Sequence, residues 1–149
     1  KSIGTKFNAS KVGNHFDNAC FGSHLGMMKF LILKEYRQID LPGNLHYAVE
    51  GGRHEVAKLL LKHLSQQSLD SQIIQSCLKN SLQTVETRMI HLLLPYCNKA
   101  VSDPDLRYFL KTRHQQINID FSKLSKLLGA KEAIVAMATE RQKLPSPTI

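Results

Sequence analysis

The run LHYAVEGGRHEVAKLLLKHL, Leu45 to Leu64, limits this chain more than any other stretch, because apolar residues recur at helical spacing on both sides of a glycine pair. Leu45, Ala48 and Val49 share one side of a first short helix, and Val56, Leu59, Leu60 and Leu64 share one side of a second. Gly51-Gly52-Arg53 lies between them, where a glycine reaches positive φ without a Cβ penalty and reverses the chain. Ala48 is small, as two closely approaching helices require. The run therefore predicts a helical hairpin with an apolar side that a neighbour must cover.

This stretch resembles the helix-turn-helix of the ankyrin repeat, whose pattern is L-H-x-A-A-x-x-G-H-x-E-V-V-K-L-L-L. Leu45, His46, Ala48, Gly52, Glu55, Val56, Lys58, Leu59, Leu60 and Leu61 match it. Arg53 stands for the usual turn His, and Val49 and Ala57 for an Ala and a Val. One repeat cannot bury its own apolar face, so further copies are expected. Placing Ala48 on Ala19, an offset of 29 residues, puts Phe16 on Leu45, Ser23 on Gly52, His24 on Arg53, Met27 on Val56 and Phe30 on Leu59. Placing it on Ser81, an offset of 33, puts Leu78 on Leu45, Met89 on Val56 and Leu92-Leu93-Leu94 on Leu59-Leu60-Leu61. The turn glycine is replaced there by Val85, so that turn is expected to differ. The resemblance covers about residues 14 to 98. The fold it implies is all-α: a short α-solenoid of stacked ankyrin-like helix-turn-helix repeats with a C-terminal helical cap.

Along the chain, residues 1–13 read as a leader, either packed on the first repeat or ending a linker. Repeats are expected over about 14–40, 41–68 and 69–101, a degenerate one over 102–129, a capping helix over 130–143 and a tail over 144–149. Asn14 or Asp17 is a candidate cap for the first helix, since a side-chain oxygen there can accept from unpaired amides. Its partner, Leu25 to about Glu35, is so apolar at Met27, Met28, Phe30, Leu31 and Leu33 that both its flanks are expected to be covered. Leu41-Pro42-Gly43-Asn44 is a turn signal before the central repeat. Leu69, Ile73, Ile74, Cys77, Leu78 and Leu82 mark a long third inner helix, capped by Ser68 or Asp70, so no projecting β-hairpin separates the repeats. A helix from about Val85 should end or bend at Pro95. Ser102-Asp103-Pro104 starts another, Asp105 to Gln115, with Leu106, Phe109 and Leu110 inward. A connector Ile117-Asn118-Ile119, a helix begun by Asp120 or Ser122 and closed by Gly129, and a last helix from Lys131 to Lys143 with Ala133, Ile134, Ala136 and Met137 as its apolar residues complete the chain.

Cys20, Cys77 and Cys97 cannot all pair with one another and fit no metal spacing, which indicates free thiols in a reducing compartment. Cys20 with His24, or Cys77 with His46, are the pairs a thiol hydrolase would use. Neither has a glycine-rich oxyanion loop or an orienting carboxylate, so no catalytic residue, metal or cofactor is assigned. There is no phosphate-binding GxxxxGK[ST] and no apolar run near the roughly 20 residues of a membrane helix. The first residue is Lys1, a cue that the chain is a piece of a longer one, such as the targeting domain of an enzyme.

By the resemblance, exposed inner-helix positions line a concave groove that binds another protein. They are Asn18, Phe21 and His24, then Tyr47, Glu50 and Arg53, then Asn80, Gln83 and Glu86. Phe21 and Tyr47 stand out, because exposed aromatics dominate interface energetics, although Phe21 could instead pack under the leader. The alternative is a basic module for nucleic acid or phosphoinositide, using Arg107, Lys111, Arg113 and the terminal lysines. The net charge of +8 supports it, but its distribution does not: residues 1–65 hold 9 basic and 5 acidic side chains, 66–98 hold 2 and 2, and 99–149 hold 9 and 5, with no basic run. Degenerate repeats, polar linkers and unpaired thiols are similar to ankyrin modules of effectors that intracellular bacteria deliver into host cells, which implies a cytoplasmic location.

Overall fold

The computed structural model describes residues 11–34, 39–67 and 69–143, and among these the chain is all-helical, with no strand. It forms two compact units, Lys1–Leu69 and Asp70–Ile149. Leader residues 1–10, Glu35, Ser68 and the tail from Leu144 lie outside the described residues.

In the first unit α1 (Val12–Phe21) and α2 (Leu25–Leu33) form one hairpin, and α3 (Leu41–Glu50) and α4 (His54–Gln67) form another. The hairpins pack in register, α1 on α3 and α2 on α4. Helices this short are marginal alone in water, so their shared apolar flank holds them. Phe16, Met28, Leu31, Leu45, Leu60 and Leu61 are fully buried there, each contributing roughly 1.5–3 kcal/mol. Ala19 and Ala48 are buried beside them, where a larger side chain would force the helices apart. Asn44, also buried, donates from Nδ2 to Asp17 Oδ1 at 2.8 Å and to the Asp40 carbonyl at 2.7 Å, linking α3 to α1 through a satisfied polar contact.

In the second unit α5 (Ser71–Gln83) packs on α6 (Thr87–Leu93) and on α7 (Pro104–Arg113), while α9 (Ala130–Lys143) packs on α8 (Phe121–Leu128) and on α7. Ile74, Leu78, Leu82, Met89, Ile90 and Leu93 fill the first layer, and Leu106, Leu110, Leu124 and Leu127 the next. Pro95 sits in a 3₁₀ turn, Leu94–Tyr96, that ends α6 as expected. Loop carbonyls are held by side chains: Lys123 Nζ donates to Cys97 O at 2.8 Å and His91 Nε2 to Ile117 O at 2.6 Å.

One turn occurs four times among the described residues. In each, a residue at positive φ donates its N–H to the carbonyl three back, and the next residue donates to the carbonyl five before itself, the pattern of a left-handed helix C-cap. Ser23 (φ 59) bonds Cys20 and His24 bonds Ala19; Gly52 (φ 67) bonds Val49 and Arg53 bonds Ala48. Val85 (φ 52) bonds Leu82 and Glu86 bonds Ser81; Asn118 (φ 57) bonds Gln115 and Ile119 bonds His114. The left-handed residues are spaced by 29, 33 and 33 positions. The third turn was expected to differ for want of a glycine and does not. Paired C-cap bonds and buried helices on both sides hold Val85 in a conformation its side chain disfavours.

Several local expectations change. α1 begins after Lys11, with no side-chain cap, and Asn14 and Asp17 lie inside it. Leu41-Pro42-Gly43-Asn44 is the first turn of α3, not a turn before it: Asp40 Oδ1 accepts from Gly43 N at 2.9 Å, and proline needs no N–H so near a helix start. Asp70, Asp103 and Asp120 cap α5, α7 and α8. The flanks of α2 are not both covered, since Met27, Phe30 and Leu33 are exposed and Met28 and Leu31 alone reach the core. On α9 Ala133 and Ala136 are buried but Ile134 is exposed. The helix begins at Ala130 because Gly129, at φ 94, makes a one-residue corner.

Candidate functional site

The first unit carries a groove of about 400 Å³ between α1 and α3. Its walls are Phe21 at the end of α1 and Tyr47 on α3, 74% and 71% exposed, with Asn18 beside Phe21 and the Asp17–Asn44 pair on the floor. Phe21 and Tyr47 thus face solvent, as a contact surface requires. Arg53 closes one end. Its Nε donates to the Phe21 carbonyl at 3.0 Å, and its guanidinium carbon lies 4.6 Å from the centre of the Phe21 ring. The guanidinium also lies over Gly51, where any Cβ would overlap Nη1. His24 lies over Gly22 in the same way at the end of α1. Glu50 is exposed on α3, and His24 is exposed after α1.

The third set of expected groove residues falls in the second unit. Gln83 is exposed and Asn80 half-buried on α5, lining a polar recess of about 350 Å³ with Gln72, Gln75 and Lys79. Lys79 Nζ lies 3.0 Å from Asp103 Oδ2 and 3.7 Å from Asp105 Oδ2. The hydrogen bond to Asp103 leads in pushing the lysine pKa up, and the same bond pulls the Asp103 carboxyl down. Glu86 is half-buried at the turn, its N–H held by Ser81.

Arg107, Lys111 and Arg113, the alternative anion site, are committed elsewhere. Arg107 donates from Nη1 to Val101 O at 2.6 Å and from Nη2 to Leu128 O at 2.8 Å, and it pairs with Glu132. Lys111 approaches the same carboxylate at 3.5 Å. Arg113 donates from Nη1 to Leu82 O at 2.7 Å and lies 4.4 Å from the Phe109 ring centre. Arg107 and Arg113 thus bind the ends of helices and loops and Lys111 faces Glu132, so none of the three stands without a partner in the protein. Lys1 and Lys6 lie outside the described residues.

The thiols are core groups. Cys20, Cys77 and Cys97 are buried. Burial, with Asp17 adding to it, pushes the Cys20 thiol up to about 12, and burial pushes Cys97 up as well. A thiol nucleophile needs the opposite shift. His24 is exposed while Cys20 is not. Among the described residues no group of three or more His, Cys, Asp or Glu could hold a metal ion, and no helix is long and apolar enough to cross a membrane.

Sequence reasoning missed a second groove, about 530 Å³, between α7 and α9, with Tyr108 and Val135 exposed on its walls and Lys111 and Lys131 at its edge. Its helices do not match the ankyrin motif, and the signal available was the aromatic Tyr108 on α7 together with the branched pair Ile134-Val135 on α9, a helix otherwise rich in alanine. Compared with known proteins, the chain matches no family model, and neither a curated protein nor a solved structure is significantly similar to it.

Proposed function

We propose that this chain is an ankyrin-like helical-repeat module that binds a partner protein in the groove between its inner helices, without chemistry of its own. The observation that carries the reading is the pair Phe21 and Tyr47: large, exposed and on adjacent hairpins, flanking one groove whose end is closed by an ordered Arg53. Leaving two aromatic faces in water brings a folded chain nothing, whereas their burial against a partner supplies most of a typical interface's energy. The turn bonds repeated at spacings of 29, 33 and 33 residues support the repeat reading, and they extend it to Asn118, past the motif itself.

Affinity capture on the immobilised chain, at low and at high salt, tests this. A protein retained at both, and lost with Tyr47→Ala or Phe21→Ala while the variant melts like the wild type, is the expected result. Retention that collapses with salt and ignores both substitutions would favour a polyanion ligand instead.

A further inference from the structure

The chemistry of the groove in the first unit narrows what it can accept, and the inference drawn from it rests on the protein-binding reading. We infer that this groove takes an extended peptide segment of the partner in which a carboxylate side chain stands next to an apolar one. The carboxylate pairs with the Arg53 guanidinium, and the apolar side chain lies between Phe21 and Tyr47.

Arg53 is already immobilised. Its Nε is bonded to the Phe21 carbonyl, its plane rests by the Phe21 ring, and its Nη1 occupies space that the missing Cβ of Gly51 leaves open. Among the described residues no hydrogen bond or ion pair engages Nη1 or Nη2. An arginine held in this way loses little further freedom on binding, and its remaining donors suit a carboxylate. The contrast with Arg107 and Arg113, whose η nitrogens are bonded to carbonyls, is internal to the chain.

The groove also disfavours polyanions. Of the residues lining it, Asp17 and Arg53 carry charge, so its net charge is zero, and a nucleic acid or anionic bilayer would meet the Asp17 carboxylate. A single carboxylate meets one guanidinium and leaves Asp17 with Asn44. The volume of about 400 Å³ has room for a short stretch of side chains.

The test is a library of random linear peptides displayed on phage and selected on the whole chain, followed by fluorescence anisotropy with the enriched sequences. Enriched peptides should share Asp or Glu next to Leu, Ile, Met or Phe. Changing that acid to its amide should weaken binding about tenfold. Arg53→Gln should weaken the acidic peptide by a similar factor and leave the amide peptide unchanged, and Arg53→Glu should prefer a peptide with Lys at the acidic position. Because Arg53 also ties α3's turn to α1, and Gly51→Ala displaces the guanidinium while keeping its charge, both variants are read on the peptide pair: each should weaken the acidic peptide and leave the amide peptide unchanged, and an equal weakening of both peptides would overturn the inference. Peptides that need Tyr47 but no acidic residue would overturn the inference and leave the groove reading standing. Peptides indifferent to both Tyr47→Ala and Arg53→Gln would sink both. An empty selection, or Arg53-dependent binding of single-stranded DNA or phosphatidylserine vesicles in its place, would overturn the inference.

Discussion

Val85 sits at φ 52 and Gly52 at φ 67, at the same point of the same turn. A left-handed conformation costs an L-residue roughly 1–2 kcal/mol, and a β-branched one has least room to relax. Val85→Gly should therefore raise stability by about 1 kcal/mol, since its partly exposed side chain gives back little when removed. Gly52→Val should lower stability by about 1–2 kcal/mol. Urea melts of the two variants check the pair, and equal, opposite-signed shifts are not required, only the signs. Cys20 gives a second prediction at this scale. Its folded-state pKa, raised to about 12, exceeds the value of 9.0 for a free thiol, so between those values the folded chain keeps a proton that the unfolded chain gives up. Stability must then fall as pH rises through that window. The Tm of wild type should drop more than that of Cys20→Ala between pH 9 and 11, and native protein should react slowly with a thiol reagent that labels all three cysteines after unfolding.

At the scale of helices, the alanines at Ala19 and Ala48 set how closely α1 approaches α3, and both are buried. Ala48→Leu should overpack that contact and cost about 1–3 kcal/mol; a variant melting at the wild-type midpoint would mean the helices do not meet there. The hairpins were legible because apolar spacing and a glycine turn both act within a few residues. The exposure of Phe21 and Tyr47 was legible for the same reason: apolar spacing fixes which side of a short helix faces outward. What resisted reading was decided by distant partners. Val85 is the exception: the bonds that hold it left-handed, Val85 N to Leu82 O and Glu86 N to Ser81 O, are local, but a β-branched residue gives no sequence signal for that conformation. Arg107 and Arg113 look like surface charge until Val101, Leu128 and Leu82 present carbonyls to them. The exposure of Phe30 and Leu33 was hidden too, since α2 carries apolar residues on every side and periodicity cannot say which will be buried.

Across the whole molecule, the net charge of +8 is spread over both ends, and its densest group, Arg107, Lys111 and Arg113, is engaged with helix ends, loops and Glu132. What recurs over the full chain is the C-cap turn, and the groove assignment depends on it, because equal turns orient successive inner helices alike within each unit. Its signature is a set of four amides, His24, Arg53, Glu86 and Ile119, bonded to the carbonyls of Ala19, Ala48, Ser81 and His114. Amide hydrogen exchange resolved by residue reads them directly. The repeat account predicts that all four exchange slowly and are protected well above the neighbouring turn residues. If Arg53 alone were protected, with His24, Glu86 and Ile119 exchanging at the rate of free chain, there would be one ankyrin-like hairpin here and no repeat.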